Sequence, residues 1–154
     1  MTLIELIVYI GLVAIVLLVI TDLVTHLILS QGKNNGSQEV QANVELISTK
    51  LISSIENAKA VTGSYPGNQL SLTTATGTEV ISLSGNTFSI SRNGAGVLPI
   101  SNSKVVISPP QGGQIFTKIT NGTAVSVKVN LVVSLISDIN KKQTLSTTIE
   151  MRGK

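Results

Sequence analysis

Cysteine and tryptophan are absent from this sequence of 154 residues, and histidine occurs once, at His26. Without cysteine, the chain has no disulfide framework and no thiolate ligand for zinc or an iron–sulfur cluster. A single histidine cannot build a multi-histidine metal centre. These absences exclude a disulfide-stabilised scaffold and the common transition-metal sites.

Charge is also scarce: 12% of the residues are charged, and the net charge is +3. The basic residues are scattered, and Lys141-Lys142 is the only adjacent pair, so the sequence shows no electrostatic signature of nucleic-acid binding. The hydrophobic content is 42%, and the mean hydropathy is +0.40. This composition argues against a disordered chain. The length predicts one domain, with room for an appendage.

The apolar residues are concentrated near the N-terminus, where residues 6–20 are uncharged and almost uniformly aliphatic. With the flanking leucines, the apolar residues of segment 1–30 approach the ~20 that cross a bilayer as a helix. A secretory signal peptide would need a basic region before the apolar stretch, but no Lys or Arg precedes Lys33. A buried core helix would need more protein around it than this chain supplies. A membrane-spanning helix therefore accounts best for the length.

Glu5 is the residue that a plain membrane anchor does not explain. It lies among Leu3, Ile4, Leu6 and Ile7, and an unpaired carboxylate in hydrocarbon costs roughly 3 kcal/mol. When several such helices pack side by side, the amine of Met1 in one chain can meet Glu5 of its neighbour. A pair about 4 Å apart would offset part of the desolvation cost and fix the axial register. The pattern therefore favours an assembly of helices.

The first eight residues, M-T-L-I-E-L-I-V, resemble the mature N-terminus of the type IV pilin superfamily. This superfamily includes major pilins, minor pilins and the pseudopilins of type II secretion and competence systems. The resemblance covers residues 1–20: Met or an aromatic residue in first position, then T-L-I-E-L, then a long aliphatic run. Two features differ, since Asp22 stands where many members have proline and no cysteine is present for a C-terminal disulfide loop.

The resemblance implies a pathway of processing and assembly as well as a fold. A prepilin peptidase would remove a leader and methylate the new amine, so we expect a processed form with N-methylated Met1. Glu5 would then neutralise a neighbouring terminus. An assembly platform and an ATPase would extract the subunit from the cytoplasmic membrane into an extracellular pilus. The implied partners are other copies of the chain, other pilins and the inner membrane, with the protein crossing that membrane once.

Several positions predict flexibility in the N-terminal helix. Asp22 and His26 are one turn apart and can interact; we interpret them as a polar helix surface leaving the membrane, which we favour over a gating or proton role. In a filament, Asp22 is also a candidate point of unwinding. Glycine weakens a helix by about 1 kcal/mol relative to alanine. The predicted flexible positions are Gly11, Asp22, Gly32 and Gly36.

Segment 31–37 is rich in Gly and Asn, which predicts a loop or a weak, bent part of one long helix. Segment 38–62 has the period of an amphipathic helix, and Gly63 and Pro66 mark its end. Its apolar residues lie on one continuous face, which we interpret as core packing. They are Val40, Val44, Ile47, Leu51, Ile55 and Ala58.

After a predicted connecting loop at 63–77, the apolar period changes to two, so segment 78–154 predicts an antiparallel meander with its apolar face on the helix. Hairpin turns are indicated at Gly85-Asn86 and Asn121-Gly122. Phe88 and Phe116 are expected in the core. The predicted strands are 78–84, 87–92, 104–108, 114–120, 123–136 and 145–151. The predicted fold class is α+β and pilin-like.

No constellation for catalysis emerges from the remaining residues. Glu79, Asp138 and Glu150 are far apart in sequence, and neither a calcium-loop pattern nor a G-x-S-x-G elbow occurs. We therefore expect no catalytic, cofactor or metal site and no enzymatic activity. The predicted function is a structural subunit of a type IV pilus, serving adhesion, surface motility or DNA uptake. The alternatives are a minor pilin or pseudopilin, and a membrane-anchored adhesive module.

Overall fold

The computed structural model describes residues 2–111 and 113–152, apart from the side chains of residues 32–34. In this part of the chain one helix, α1 (Leu3–Glu56), is followed by nine strands. The chain divides into two compact units, the first ending at Gly36 and the second beginning at Ser37. This boundary falls within the Gly- and Asn-rich segment 31–37, all of which is helical.

The nine strands form two antiparallel sheets in the second unit. The strands are β1 (Ala60–Thr62), β2 (Gln69–Thr74), β3 (Gly77–Ser84), β4 (Thr87–Arg92), β5 (Leu98–Pro99), β6 (Val105–Ser108), β7 (Phe116–Asn121), β8 (Ala124–Leu135) and β9 (Lys142–Glu150). The first sheet has the order β1-β2-β3-β4-β5. The second is built around β8, whose residues 126–134 pair with β9, residues 124–129 with β7 and residues 132–135 with β6.

The α+β fold class is confirmed: a long N-terminal helix precedes antiparallel sheets, and its second half packs on them. The apolar face predicted for this half is buried along its whole length and joins residues of both sheets in one core. Each fully buried aliphatic side chain contributes about 1.5–3 kcal/mol. The six residues of the face and their exposed fractions are Val40 (3%), Val44 (8%), Ile47 (0%), Leu51 (0%), Ile55 (0%) and Ala58 (2%).

Two phenylalanines lie in the core, as predicted, and they join the two sheets. Phe88 of β4 and Phe116 of β7 are both fully buried, and their ring centroids are 6.0 Å apart with an interplanar angle of 33°. A tilted arrangement at this distance is one that aromatic pairs prefer. The backbone of Phe116 also exchanges hydrogen bonds of 2.9 and 3.0 Å with Gly67. These contacts hold the second sheet against the loop before β2.

The structure differs from the sequence-based prediction around the end of the helix. We expected a helix over 38–62 and a loop over 63–77, but α1 ends at Glu56, and β1 and β2 follow. The backbone N–H of Asn57 makes the last i→i−4 hydrogen bond, to the Ser53 carbonyl at 3.3 Å, and the N–H of Ala58 bonds instead to the Ile55 carbonyl at 3.2 Å, so the α-helical pattern stops here. The N–H of Lys59 donates to Thr73 at 2.7 Å, so the chain enters the first sheet at once.

The predicted meander is two sheets rather than one, and the short strand β5 was not predicted, but the other six strands of this segment agree closely with the prediction. β3, β4, β6, β7 and β8 lie within two residues of their predicted bounds, and β9 begins three residues earlier. The turn at Gly85-Asn86 is confirmed, since Ser84 pairs with Thr87. The second hairpin is shifted by one residue, because Asn121 pairs with Ala124. Its turn is therefore Gly122-Thr123, and Gly122 takes the positive φ of 60° that a first central position requires.

Candidate assembly site

The first unit exposes an apolar helical surface. Between Leu3 and Leu29, twenty large hydrophobic side chains are 38–77% exposed. The most apolar window of 18 residues has a mean hydropathy of 3.0 and none of it is buried. A helix that is apolar all round needs a bilayer or other helices as its surroundings. By length and composition, this helix is able to cross a membrane.

The two threonine hydroxyl groups within this apolar segment are satisfied by the helix itself. The Thr21 hydroxyl donates to the Leu17 carbonyl at 2.8 Å, and the Thr25 hydroxyl donates to the Thr21 carbonyl at 2.8 Å. Polar groups in hydrocarbon need partners, and bonds of this kind provide them without water. These two threonines are therefore compatible with an apolar environment.

Glu5 and Thr2 form a reciprocal cap at the start of α1. The backbone N–H of Thr2 donates to Oε2 of Glu5 at 2.8 Å, and the N–H of Glu5 is 3.4 Å from the Thr2 hydroxyl oxygen. The Thr2 carbonyl accepts the first helical hydrogen bond, from Leu6, at 3.3 Å. This arrangement is a capping box, in which residues N-cap and N3 each satisfy a backbone donor of the other.

Our sequence-based reasoning missed this cap, although the sequence carries its signal. T-L-I-E directly before an apolar run is the S/T-x-x-E pattern that marks a helix start. Among the residues that the structure describes, the second carboxylate oxygen of Glu5, Oε1, makes no hydrogen bond. Met1, which we predicted as the partner of Glu5 and as the site of methylation, lies outside the described residues.

Asp22 and His26 approach each other as predicted from their spacing. Their Oδ1 and Nε2 atoms are 3.7 Å apart, and both side chains are more than three-quarters exposed. Exposed pairs of this kind contribute little to stability, which agrees with the interpretation as a polar helix surface. Gly11, Asp22, Gly32 and Gly36 all lie within α1. Their flexibility stays a prediction.

The second unit contains a buried carboxylate that the sequence did not single out as structurally important. Glu79 in β3 is 6% exposed. The Ser54 hydroxyl of α1 donates to its Oε1, and Nε of Arg92 in β4 donates to its Oε2 at 3.0 Å. Both oxygens therefore have partners, as a buried charge requires. Glu79 ties the helix to two strands, and we interpret it as structural.

The residues of this network line an open polar cavity of about 320 Å³. Its wall combines hydroxyl, amide and charged side chains, and the Glu79 carboxylate in it is already bonded. In the described part of the chain, no group of three or more His, Asp or Glu side chains is placed to hold a metal ion. The lining residues are Lys50, Ser53, Ser54, Asn57, Thr74, Thr76, Thr78, Glu79, Arg92 and Asn93.

No protein-family model matches this chain, and no curated protein or solved structure matches it either. The fold and the candidate site therefore define the class of protein by themselves. That class is an α+β protein with an apolar, capped N-terminal helix that continues into a unit of two antiparallel sheets.

Proposed function

We propose that this protein is a pilin-like structural subunit whose N-terminal helices pack side by side in the core of a type IV pilus filament. The observation that carries the proposal is the exposed apolar helix with one carboxylate, Glu5, in its first turn. The apolar surface requires lipid or other helices, and the carboxylate requires a cation. A bundle of identical helices supplies both, because each chain brings an amine to the end where its neighbour brings Glu5.

A bilayer alone leaves the charge of Glu5 unexplained. The apolar stretch before Asp22, residues 3–21, spans about 28 Å of helix, close to the hydrocarbon thickness of about 30 Å, so its length fits a single anchor as well as a filament. A single anchor needs Glu5 only as a helix cap, and glutamine would serve there. In a filament, the negative charge of Glu5 also sets the axial register. Contacts that repeat head to tail without closing produce a fibre.

The two units have separate roles in this proposal. The first holds the subunit in the cytoplasmic membrane before assembly and in the filament core afterwards. The second has its own closed core and supplies the surface through which the pilus adheres, moves or takes up DNA. A prepilin peptidase, an assembly platform and an ATPase are the partners of this cycle. The role is structural rather than catalytic.

The decisive experiment is electron microscopy of filaments sheared from the native cells, together with mass spectrometry of their most abundant protein. We expect thin fibres made mainly of this chain, with an N-methylated Met1. A trace amount in fibres made of another pilin would favour a minor pilin or a pseudopilin instead. If the cells make no fibre and Met1 is unmethylated, the filament proposal fails and a membrane-anchored adhesive module is the better explanation.

A further inference from the structure

The turn between β8 and β9, residues 136–141, exposes two isoleucines. Ile136 is 56% exposed and Ile139 is 73% exposed, although the neighbouring β8 residue Leu135 is buried. Isolated surface isoleucines are common, but these two project from a single turn. Hydrogen bonds within the turn fix the backbone that holds these two side chains in solvent.

That turn is held by its own backbone. The N–H of Asp138 donates to the Leu135 carbonyl at 3.3 Å, and the N–H of Lys141 donates to the Asp138 carbonyl at 3.0 Å. The Asp138 carboxylate accepts a hydrogen bond from the N–H of Asn140 at 3.1 Å, so a donor within the turn stabilises part of its negative charge. The backbone is therefore ordered in a way that leaves Ile136 and Ile139 in solvent.

Three lysines lie near the two isoleucines, two by sequence and one through a backbone hydrogen bond. Lys141 and Lys142 end the turn and begin β9. The carbonyl of Lys104 accepts the N–H of the first turn residue at 3.0 Å, which brings a third lysine close. Of the described side chains here, Asp138 and Glu39 are carboxylates, and Glu39 is 3.6 Å from the Lys104 ammonium group. The formal charges of these five described residues sum to one positive charge.

The turn lies at the end of the second unit where the chain arrives from the apolar helix. A cavity of about 390 Å³ is lined on one side by Ser37, Val40 and Gln41, and on the other by residues 140–143. Ser37 is the first residue of the second unit. It follows Leu29, the last residue of the apolar segment, by eight residues, which reach at most about 28 Å even when fully extended.

We propose that the β8–β9 turn docks on the surface of an anionic bilayer while the subunit is anchored in it. Ile136 and Ile139 enter the interfacial layer, and the lysines meet anionic headgroups. Apolar side chains beside Lys form the usual combination for binding at an interface. Residues 30–36, which connect the apolar helix to the second unit, keep the turn near the membrane, so a small contact is sufficient. This inference rests on the membrane anchoring in the proposed function.

A second copy of the chain fits this surface less well. A stable protein interface buries about 800 Å² on each partner, and two isoleucines among polar residues offer far less apolar area. A second copy would also bring the same positive charge, which would repel the first. Anionic lipid matches both the small apolar area and the sign of the charge.

The absence of tryptophan from the chain permits a direct test. The full chain carrying Ile139→Trp is incorporated into nanodiscs of anionic lipid with brominated acyl chains, and quenching of its fluorescence is measured. The matched control is Ala75→Trp in the exposed turn between β2 and β3. Ala75 lines a cavity with Glu56, which is about 28 Å along α1 from Ser37. We expect strong quenching for Ile139→Trp and little for Ala75→Trp.

A second variant tests the charge. Adding Lys142→Glu to the Ile139→Trp chain reverses the charge of the lysine that follows the turn, and one lysine near an anionic surface is worth about fivefold in binding. We expect the ratio of docked to free turn to fall by at least about fivefold on anionic nanodiscs. On zwitterionic nanodiscs, the same substitution should change the quenching little.

Equal quenching of the two tryptophan variants, or none for Ile139→Trp, would overturn the docking while leaving the membrane anchor intact. A blue shift of the Ile139→Trp emission that depends on protein concentration, without lipid quenching, would overturn it in favour of a second copy. If the protein does not incorporate into nanodiscs at all, both the anchoring and the docking are wrong.

Discussion

The carboxylate of Glu5 accepts a 2.8 Å hydrogen bond from the backbone N–H of Thr2, so the residue proposed to meet a neighbouring amine also caps its own helix. Glutamine serves as well as glutamate in the third position of a capping box. The capping function therefore needs a hydrogen-bond acceptor, whereas pairing with an amine needs the negative charge. Substitutions at Glu5 and Thr2 separate the two functions.

We predict that Glu5→Gln keeps the helix cap and abolishes or greatly reduces filament formation. The amide retains an acceptor for the Thr2 N–H, but it cannot neutralise the amine of a neighbour. Thr2→Ala is the matched variant, because it weakens the cap by about 1 kcal/mol and keeps the charge. It should still assemble. Filament yield by electron microscopy and helix content by circular dichroism are the two measurements.

The opposite pattern would contradict the proposed pairing. If Glu5→Gln forms filaments at the normal yield while Thr2→Ala does not, Glu5 acts through the cap alone. Normal assembly of both variants would mean that the first turn of α1 has no part in the register. In either case, the pairing of Glu5 with a neighbouring amine is wrong, although the membrane-spanning role of the apolar helix would stand.

A second prediction concerns the buried network at Glu79. Glu79→Ala leaves the Ser54 hydroxyl and the Arg92 guanidinium without their shared acceptor, and we expect the free energy of unfolding to fall by about 2–3 kcal/mol. Glu150→Ala is the control, because Glu150 is exposed at the end of β9 and its loss should change stability by less than about 0.5 kcal/mol. Urea unfolding of the full chain in detergent, followed by circular dichroism, gives both values. Equal effects would show that Glu79 does not tie the helix to the strands.

Local patterns in the sequence predicted much of the fold. The helical face from Val40 to Ala58 follows a period near 3.6, and the alternation in β8 follows a period of two, so each shows its buried side directly. The Q-L-S-L-T-T segment that forms β2 carries the same alternation, with Leu70 and Leu72 fully buried. It was missed because the adjacent Tyr65-Pro66-Gly67 suggested a loop.

Non-local relationships explain what could not be predicted. The division into two sheets depends on β6 pairing with β8 rather than with β5, and no local pattern specifies such a choice. Likewise, Ser54 and Glu79 are 25 residues apart, so the burial of this carboxylate was not visible in the sequence. The cap at Thr2 was readable from four consecutive residues, and only the interpretation of Glu5 as an unsatisfied charge obscured it.

Tyr65 leads to a prediction about alkaline pH. Its hydroxyl donates to the Thr62 carbonyl at 2.9 Å and accepts the Ser71 N–H at 3.1 Å. Burial raises the pKa of Tyr65, and the Ser71 hydrogen bond opposes this in part. Above pH ~10, the ordinary tyrosine pKa, the unfolded state therefore loses its proton first. The stability contributed by the neutral phenol is complete below this pH and is lost as the pH rises through the folded-state pKa.

Tyr65→Phe cannot titrate at this position, so it isolates the effect from the lysines that titrate in the same range. We expect the difference in the free energy of unfolding between the original chain and Tyr65→Phe to shrink from pH 8 to pH 11, values on either side of the ordinary pKa of about 10. Chemical unfolding at the two pH values measures it. A difference that stays constant would mean that the folded-state pKa of Tyr65 is not raised.

Two leucines on α1 test how far the core of the second unit depends on this helix. Leu51 is fully buried, whereas Leu46 is 54% exposed. Leu51→Ala removes packed methyl groups and leaves a cavity between the helix and both sheets, so it should cost about 2–5 kcal/mol. Leu46→Ala makes the same chemical change on the same helix and should cost less than about 1 kcal/mol, because most of its side chain already meets solvent. Urea unfolding in detergent, monitored by the β-sheet signal, compares the two. If both variants lose the same stability, the measured loss reflects helix propensity rather than packing, and the apolar face from Val40 to Ala58 is not what holds the sheets together.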